Sequence, residues 1–168
     1  MEKANYLSRV IFETIVLFLT WILLTESLAT SELVFGLLIA VIISLGTANL
    51  FTEHGLAHLH PKRLFYLIIY IPYYIYQVIK ANVQVAIIVL SPSLPIKPGI
   101  VKVKTNLKTD VGKLALANSI TLTPGTITME IEGEDVYVHW IKVDDESVEG
   151  ATQSIVSPFE KFLKEIFQ

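Results

Sequence analysis

The chain has 168 residues, of which 52% are hydrophobic and 17% charged, against roughly 25% charged in an ordinary soluble domain. A formal net charge of −3 gives no electrostatic case for nucleic acid, and the lack of cysteine excludes disulfides, thiolate catalysis and cysteine-ligated metal. These values describe a small membrane protein with one modest polar region, the apolar surplus lying in the first half.

Tyr6 to Leu28 is the first long apolar run, interrupted in its body by Arg9 and Glu13. Those two stand at i and i+4, so an intramembrane charge pair between Arg9 and Glu13 is expected to lower the cost of both. Glu32 to Phe51 is a second run, uncharged after its first residue. At about 1.5 Å per residue it is long enough to cross a hydrocarbon core. Gly36, Ala40 and Gly46 offer small residues for close helix contact. A transmembrane helical hairpin is therefore expected over residues 1–63. Ser27-Leu28-Ala29 has the small-x-small form of a signal cleavage site, but Glu13 and the full-length second run argue against cleavage. Lys3, Arg9, Lys62 and Arg63 flank the hairpin and its connector has no basic residue, which places both ends in the cytoplasm of a multi-pass plasma-membrane protein.

Residues 64–90 admit two readings. The stretch is long enough to span, yet Tyr66, Tyr70, Tyr73, Gln77, Lys80 and Gln84 recur at helical spacing opposite Leu67, Ile68, Ile71, Ile75, Ile79, Val83 and Ile87. Tyrosine prefers the headgroup level, and Pro72 is expected to kink or weaken the helix. An amphipathic helix in the cytoplasmic interface keeps the following Lys97, Lys102, Lys104 and Lys108 inside. A third membrane helix is the alternative.

Residues 91–99 hold three prolines and a glycine and form a linker. Residues 100–168 are expected to form a small cytoplasmic α+β domain of order β-α-β-β-α. Val101 and Val103 mark a strand, Asp110 caps a helix towards Asn118, and Ile127, Met129 and Ile131 alternate in a second strand. A turn at Glu132 to Asp135 leads to an inward face of Val136, Val138 and Trp140. Ser147 opens the last helix, which Pro158 kinks or restarts through the capping-box pattern Ser157-Pro158-Phe159-Glu160.

The chemistry in this sequence is sparse. His54, His58 and His60 beside Glu53 approach a metal pattern, but lack a second ligand cluster and read as a polar connector. Glu13 is the one carboxylate well inside an apolar run, so a direct place in an ion or proton pathway is the alternative to structural pairing with Arg9. His139 beside Trp140 reads as a packed strand histidine, and Asp144-Asp145-Glu146 as a solvated loop before a helix. No Gly-rich phosphate loop or nucleophile–base spacing is present, so no catalytic, cofactor or metal site is expected.

The corner from Asn118 to Thr126 joins a helix to a strand through Pro124-Gly125, a turn pair with threonines on either side. It reads as a corner that docks onto something. The string Ala117-Asn118-Ser119-Ile120-Thr121-Leu122-Thr123-Pro124-Gly125-Thr126, followed by Val136-Tyr137-Val138-His139-Trp140, resembles the E subunit of multisubunit Mrp-type (Mnh) sodium/proton antiporters. Leu90-Ser91-Pro92, Ile96 to Val101 and Thr109-Asp110 resemble it too, and the likeness covers nearly the whole chain. Related subunits occur in the antiporter-like modules of archaeal membrane-bound hydrogenases and sulfane reductases. The resemblance implies a non-catalytic accessory or assembly subunit of a sodium/proton-translocating complex, with other membrane subunits and the lipid bilayer as partners. Asn118, Ser119, Thr121, Thr123, Pro124, Gly125, Thr126, Tyr137, His139 and Trp140 are the expected docking residues.

Overall fold

The computed structural model describes residues 5–51, 55 and 60–168. They fall into two compact units, Met1–His60 and Pro61–Gln168.

In the first unit, α1 (Tyr6–Thr25) and α2 (Thr30–Phe51) are joined by four residues. Asn5 caps α1, its side chain accepting from the Ser8 N–H at 2.8 Å. Glu26 ends the helix in the left-handed region, φ 49°. Contacts along the pair establish an antiparallel hairpin: Tyr6 O–H donates to the Leu45 carbonyl at 2.6 Å, Thr14 and Ser44 share a hydrogen bond of 2.7 Å, and the Trp21 indole lies on Gly36. The α2 seam is Gly36, Ala40, Ser44 and Ala48, a small buried residue at every fourth position. Small residues there let the backbones approach, which drives helix association where lipid removes the hydrophobic incentive. Gly46 is not part of this seam. It falls two residues from Ser44 and from Ala48, about 200° around the helix, and has open space beside it.

The second unit begins with α3 (Pro61–Leu90) and continues as β1 (Gly99–Lys104), α4 (Asp110–Thr121), β2 (Thr126–Glu132), β3 (Asp135–Trp140), α5 (Val148–Ile155) and α6 (Ser157–Phe167). The strands form one antiparallel sheet in the order β1-β3-β2. Val101, Val103, Val136 and Val138 face a core shared with Leu107, Leu116, Ile120, Ile155, Phe159 and Leu163. The expected architecture is thus present, with its last helix divided in two at Val156.

Three details differ from the sequence expectations for physical reasons. Thr109, not Asp110, caps α4, accepting from the Gly112 N–H at 3.2 Å, while Asp110 occupies the first turn where acids favour the dipole. The register of β2 shifts between Thr128 and Glu130, a bulge at Met129 that breaks the simple alternation. Ile131 therefore packs towards the core, while Ile127 and Met129 are exposed. The capping box at Ser157 does not form. Glu160 instead accepts from the Thr105 hydroxyl and the Asn106 N–H, both at 2.6 Å, and α6 starts without a side-chain cap.

α3 runs unbroken through Pro72, which lies on its exposed side. Its sheltered stripe is Arg63, Tyr66, Tyr70, Tyr73, Tyr74, Gln77, Ala81, Val85 and Ile88, a period of three and four residues kept over the whole helix. Tyr70 belongs to the domain core, and Tyr66, Tyr73 and Tyr74 pack against it. Their rings meet α6, with centroid separations of 4.7 Å for Tyr73–Phe162, 5.8 Å for Tyr70–Phe162 and 6.1 Å for Tyr74–Phe159. The opposite face, with Phe65, Ile68, Ile71, Ile75, Ile79, Val83 and Ile87, is exposed.

Candidate functional site

The corner between α4 and β2 is built from its hydroxyls. A helix leaves its last carbonyls without intrahelical partners, and here side-chain hydroxyls reach both those of the end and others in the turn before it. Ser119 donates to the Ala115 carbonyl at 2.6 Å, Thr123 to Ser119 at 2.6 Å, and Thr126 to Ile120 at 2.7 Å. Thr128 donates to the Ala117 carbonyl at 3.2 Å, and its N–H is received by Thr121 at 3.1 Å. Gly125 adopts φ 94°, where a side chain is strained, and a Cβ there would lie 3.0 Å from Ile141 and 3.4 Å from Val85 of α3. Its carbonyl accepts from the Ile141 N–H at 2.8 Å. Most of the threonine-rich string therefore fastens the end of α4 to the start of β2 and to β3.

Ser119 has a second task. The Tyr70 hydroxyl reaches its Oγ at 2.5 Å inside the core, so α4 and α3 are tied by a buried polar contact. The exposed side chains of this corner are Asn118, Thr121, whose hydroxyl accepts from the Thr128 N–H, and Leu122, 66% exposed. Sequence reasoning passed over Leu122, although Val111, Leu114, Asn118 and Leu122 follow a three-and-four spacing along one face of α4. Tyr137 and His139 are half-buried on β3 beside Glu130 and Ile127 of β2, while Trp140 packs against the core.

In the hairpin, Glu13 is 2% exposed and its Oε1 accepts from the Thr47 hydroxyl at 2.6 Å, while Oε2 has no hydrogen-bond partner. Arg9 donates to Asn49 at 3.2 Å. The expected pairing of Arg9 with Glu13 thus gives way to cross-helix partners, because the side chains facing α2 find Asn49 and Thr47 there, two residues apart. His60 is exposed ahead of α3, and His54 and His58 lie outside the described residues.

Charges on the polar surface are paired locally. Lys102 meets Asp135 at 2.5 Å, Lys108 meets Glu134 at 2.6 Å, and Lys97 meets Glu146 at 2.7 Å. Hydrogen bonds from those lysines hold the Asp135, Glu134 and Glu146 carboxyls below their ordinary range.

The family model described as MNHE, Na+/H+ ion antiporter subunit, matches residues 14–166 of this chain, which covers most of both units. The chain belongs to this Na+/H+ antiporter subunit family. It is 32% identical over 154 residues to the E1 subunit of the Na(+)/H(+) antiporter of Staphylococcus haemolyticus, covering 87% of this chain and 89% of that one. It is 37% identical over 105 residues to the antiporter's E subunit in Alkalihalophilus pseudofirmus, covering 62% of this chain and 66% of that protein. Among solved structures it is similar to a chain of the membrane-bound sulfane sulfur reductase, an archaeal respiratory membrane complex. That match has a TM-score of 0.88 and 55% identity, and covers 95% of this chain and 99% of the other. Membership of the antiporter family places the chain in a multisubunit membrane assembly of the Mrp type or its membrane-bound relatives, with other membrane subunits as the expected partners.

Proposed function

We propose that this chain is a non-catalytic accessory subunit that anchors and mates within an ion-translocating complex. The hairpin packs among partner membrane subunits, and α3 lies in the plane of the cytoplasmic leaflet. The α+β domain stands on the cytoplasmic side and offers Asn118 and Leu122 to a neighbour. The observation that carries this reading is the burial pattern of α3. Domain contacts line the helix from Lys62, which bridges to Glu165 at 2.7 Å, to Val85 beside Gly125. At about 1.5 Å per residue, that contact line runs for roughly 35 Å, longer than a hydrocarbon core of about 30 Å. Were α3 to cross the bilayer, Lys161, Glu165 and Lys142 of the attached domain would be drawn into lipid, at several kcal/mol each. In the plane, only the exposed Ile and Phe face enters the leaflet and nothing charged is desolvated.

The chain has no cysteine, so spin labels are readily placed one at a time at positions 68, 75, 79, 83 and 87 in the full chain in lipid nanodiscs. The expected result is one shallow depth for all five, about 5–10 Å below the headgroups. A depth profile rising to the bilayer centre in mid-helix and falling again refutes the in-plane placement.

A second reading, direct participation of Glu13 in an ion or proton path, is favoured by its buried and half-satisfied carboxylate. Glu13→Gln in the assembled complex separates the two. Exchange lost at unchanged subunit levels supports the pathway role, and unaltered exchange removes it.

A further inference from the structure

The C-terminal half of α3 and the Pro124-Gly125 corner enclose a groove of about 570 Å³ that no part of the proposed function uses. One wall is apolar, with Val85 and Ile88 of α3, Pro124, Ile141, Pro158 and Phe159 in its lining. Its charged groups are Lys80 and Lys142 against the single carboxylate of Asp144, a net positive balance. Among the described residues, Lys80, the Gln84 amide and the Trp140 indole N–H line the groove without a side-chain partner in the protein. Lys142 also lines it and reaches Asp144, the one carboxylate there, only at 3.6 Å.

The geometry points to a binding site for one anionic phospholipid, its phosphate at Lys80, Gln84 and Trp140 and an acyl chain along the apolar wall. Two arguments select this occupant over a peptide segment of a partner. A phosphodiester brings a negative charge to Lys80, which has no carboxylate partner among the described residues, whereas a peptide backbone brings none. The groove also opens onto the lipid side, because Ile87 belongs both to its lining and to the exposed apolar stripe of α3. Basic pockets at the cytoplasmic membrane surface recognise acidic headgroups, each lysine strengthening binding by about fivefold. The inference rests on the in-plane placement of α3.

Trp140 reports on the site directly, since Trp21 is the only other tryptophan. The Trp21→Phe full chain is placed in nanodiscs of phosphatidylcholine containing either dibromo-acyl phosphatidylglycerol or dibromo-acyl phosphatidylcholine. The expected result is quenching of Trp140 by the glycerol lipid at a much lower mole fraction than by the choline lipid. Lys80→Gln with Lys142→Gln weakens that preference by about 30-fold, while Lys80→Arg with Lys142→Arg keeps it. Equal quenching by both lipids overturns the headgroup site and leaves the placement of α3 standing. Absence of quenching by either lipid overturns both. A photo-crosslinker at position 84 that captures a neighbouring subunit in the assembled complex, in place of lipid, also overturns the site.

Discussion

Tyr70 joins α3 to the rest of its unit, and a short variant series tests that joint quantitatively. Its ring is 9% exposed and its hydroxyl meets Ser119 Oγ at 2.5 Å, while Ser119 passes its own proton to the Ala115 carbonyl at 2.6 Å. In Tyr70→Phe, Ser119 keeps its acceptor and loses only one incoming bond, so the expected cost is the net value of a hydrogen bond, about 1 kcal/mol. In Ser119→Ala, the phenol O–H stays buried among the rings of Tyr74 and Phe162, 5.9 and 5.8 Å away, with no acceptor in place. That costs about 1–3 kcal/mol, because an unmet buried donor forfeits its solvation. Tyr70→Ala removes the ring itself and leaves a cavity against α6, at about 3–5 kcal/mol. For a unit of this size, each kcal/mol lowers the midpoint by about 4–8 °C.

The assay is thermal unfolding of the full chain in detergent, followed by Trp140 fluorescence in the Trp21→Phe background. The expected order of destabilisation is Tyr70→Phe, then Ser119→Ala, then Tyr70→Ala. A Tyr70→Ala midpoint within a degree or two of the parent would refute the claim that α3 is a wall of the domain core. Tyr70→Phe costing more than Ser119→Ala would refute the hydrogen-bond accounting while leaving the packing in place.

Leu122→Asp with Asn118→Ala changes exposed groups, so the midpoint should move little, within about 0.5 kcal/mol, while co-purification of partner subunits falls; full recovery of the partners counts against the docking role. Gly36→Ala should weaken the hairpin by about 1–3 kcal/mol, since its Cβ would run into the Trp21 indole, whereas Gly46→Ala meets open space and should leave it unchanged. Hairpin compactness on a denaturing gel distinguishes the two, and equal behaviour would overturn the assigned seam. Asp135, Glu134 and Glu146 have lowered pKa values in the folded domain, so the stability they contribute is present above their ordinary values of 3.8 to 4.5 and is lost as pH falls below that range. The Lys108–Glu134 and Lys97–Glu146 pairs are solvent-exposed and Lys102–Asp135 is half-buried, so 1 M NaCl should flatten the acid limb of a midpoint-against-pH curve; an acid limb indifferent to salt would show that other groups set it.

The parts of the fold legible in the sequence are those governed by local rules. Run length marked α1 and α2, and alternation placed Val101, Val103, Val136 and Val138 on one sheet face. Two of the misreadings concern a partner far along the chain. Glu160 stood three residues after Ser157 in a capping-box pattern, but Thr105 and Asn106, over 50 residues away, offer its carboxylate three donors instead of one. Arg9 and Glu13 are neighbours on one helix, but Asn49 and Thr47 reach them across the hairpin. The bulge at Met129 has no marker in its own segment, because a residue type alone does not show which strand carries the extra residue. Thr109 and Asp110 are both good caps in adjacent positions, and local sequence does not separate them.

The stripe on α3 was legible, but which side faces inward was not. In water the Ile and Leu face would be buried and the tyrosines exposed; here Tyr70 is buried, Tyr66, Tyr73 and Tyr74 are half-buried against the core, and the aliphatic face is left out. Lipid reverses the usual preference, since an aliphatic side chain gains nothing by leaving hydrocarbon for a protein core. A tyrosine on the inner face gains ring contacts and a polar anchor. Tyr70 finds Ser119, and Tyr73 accepts from Gln77 at 2.6 Å. The same logic explains why Ser119 and the threonines cluster at 119–128. A domain roofed by a polar-faced helix needs hydroxyls at its rim to meet both that helix and the C-terminal end of α4. The string that resembles an antiporter subunit is thus first a fastening between α3, α4 and β2, and the side chains that fastening leaves exposed are Asn118, Thr121 and Leu122.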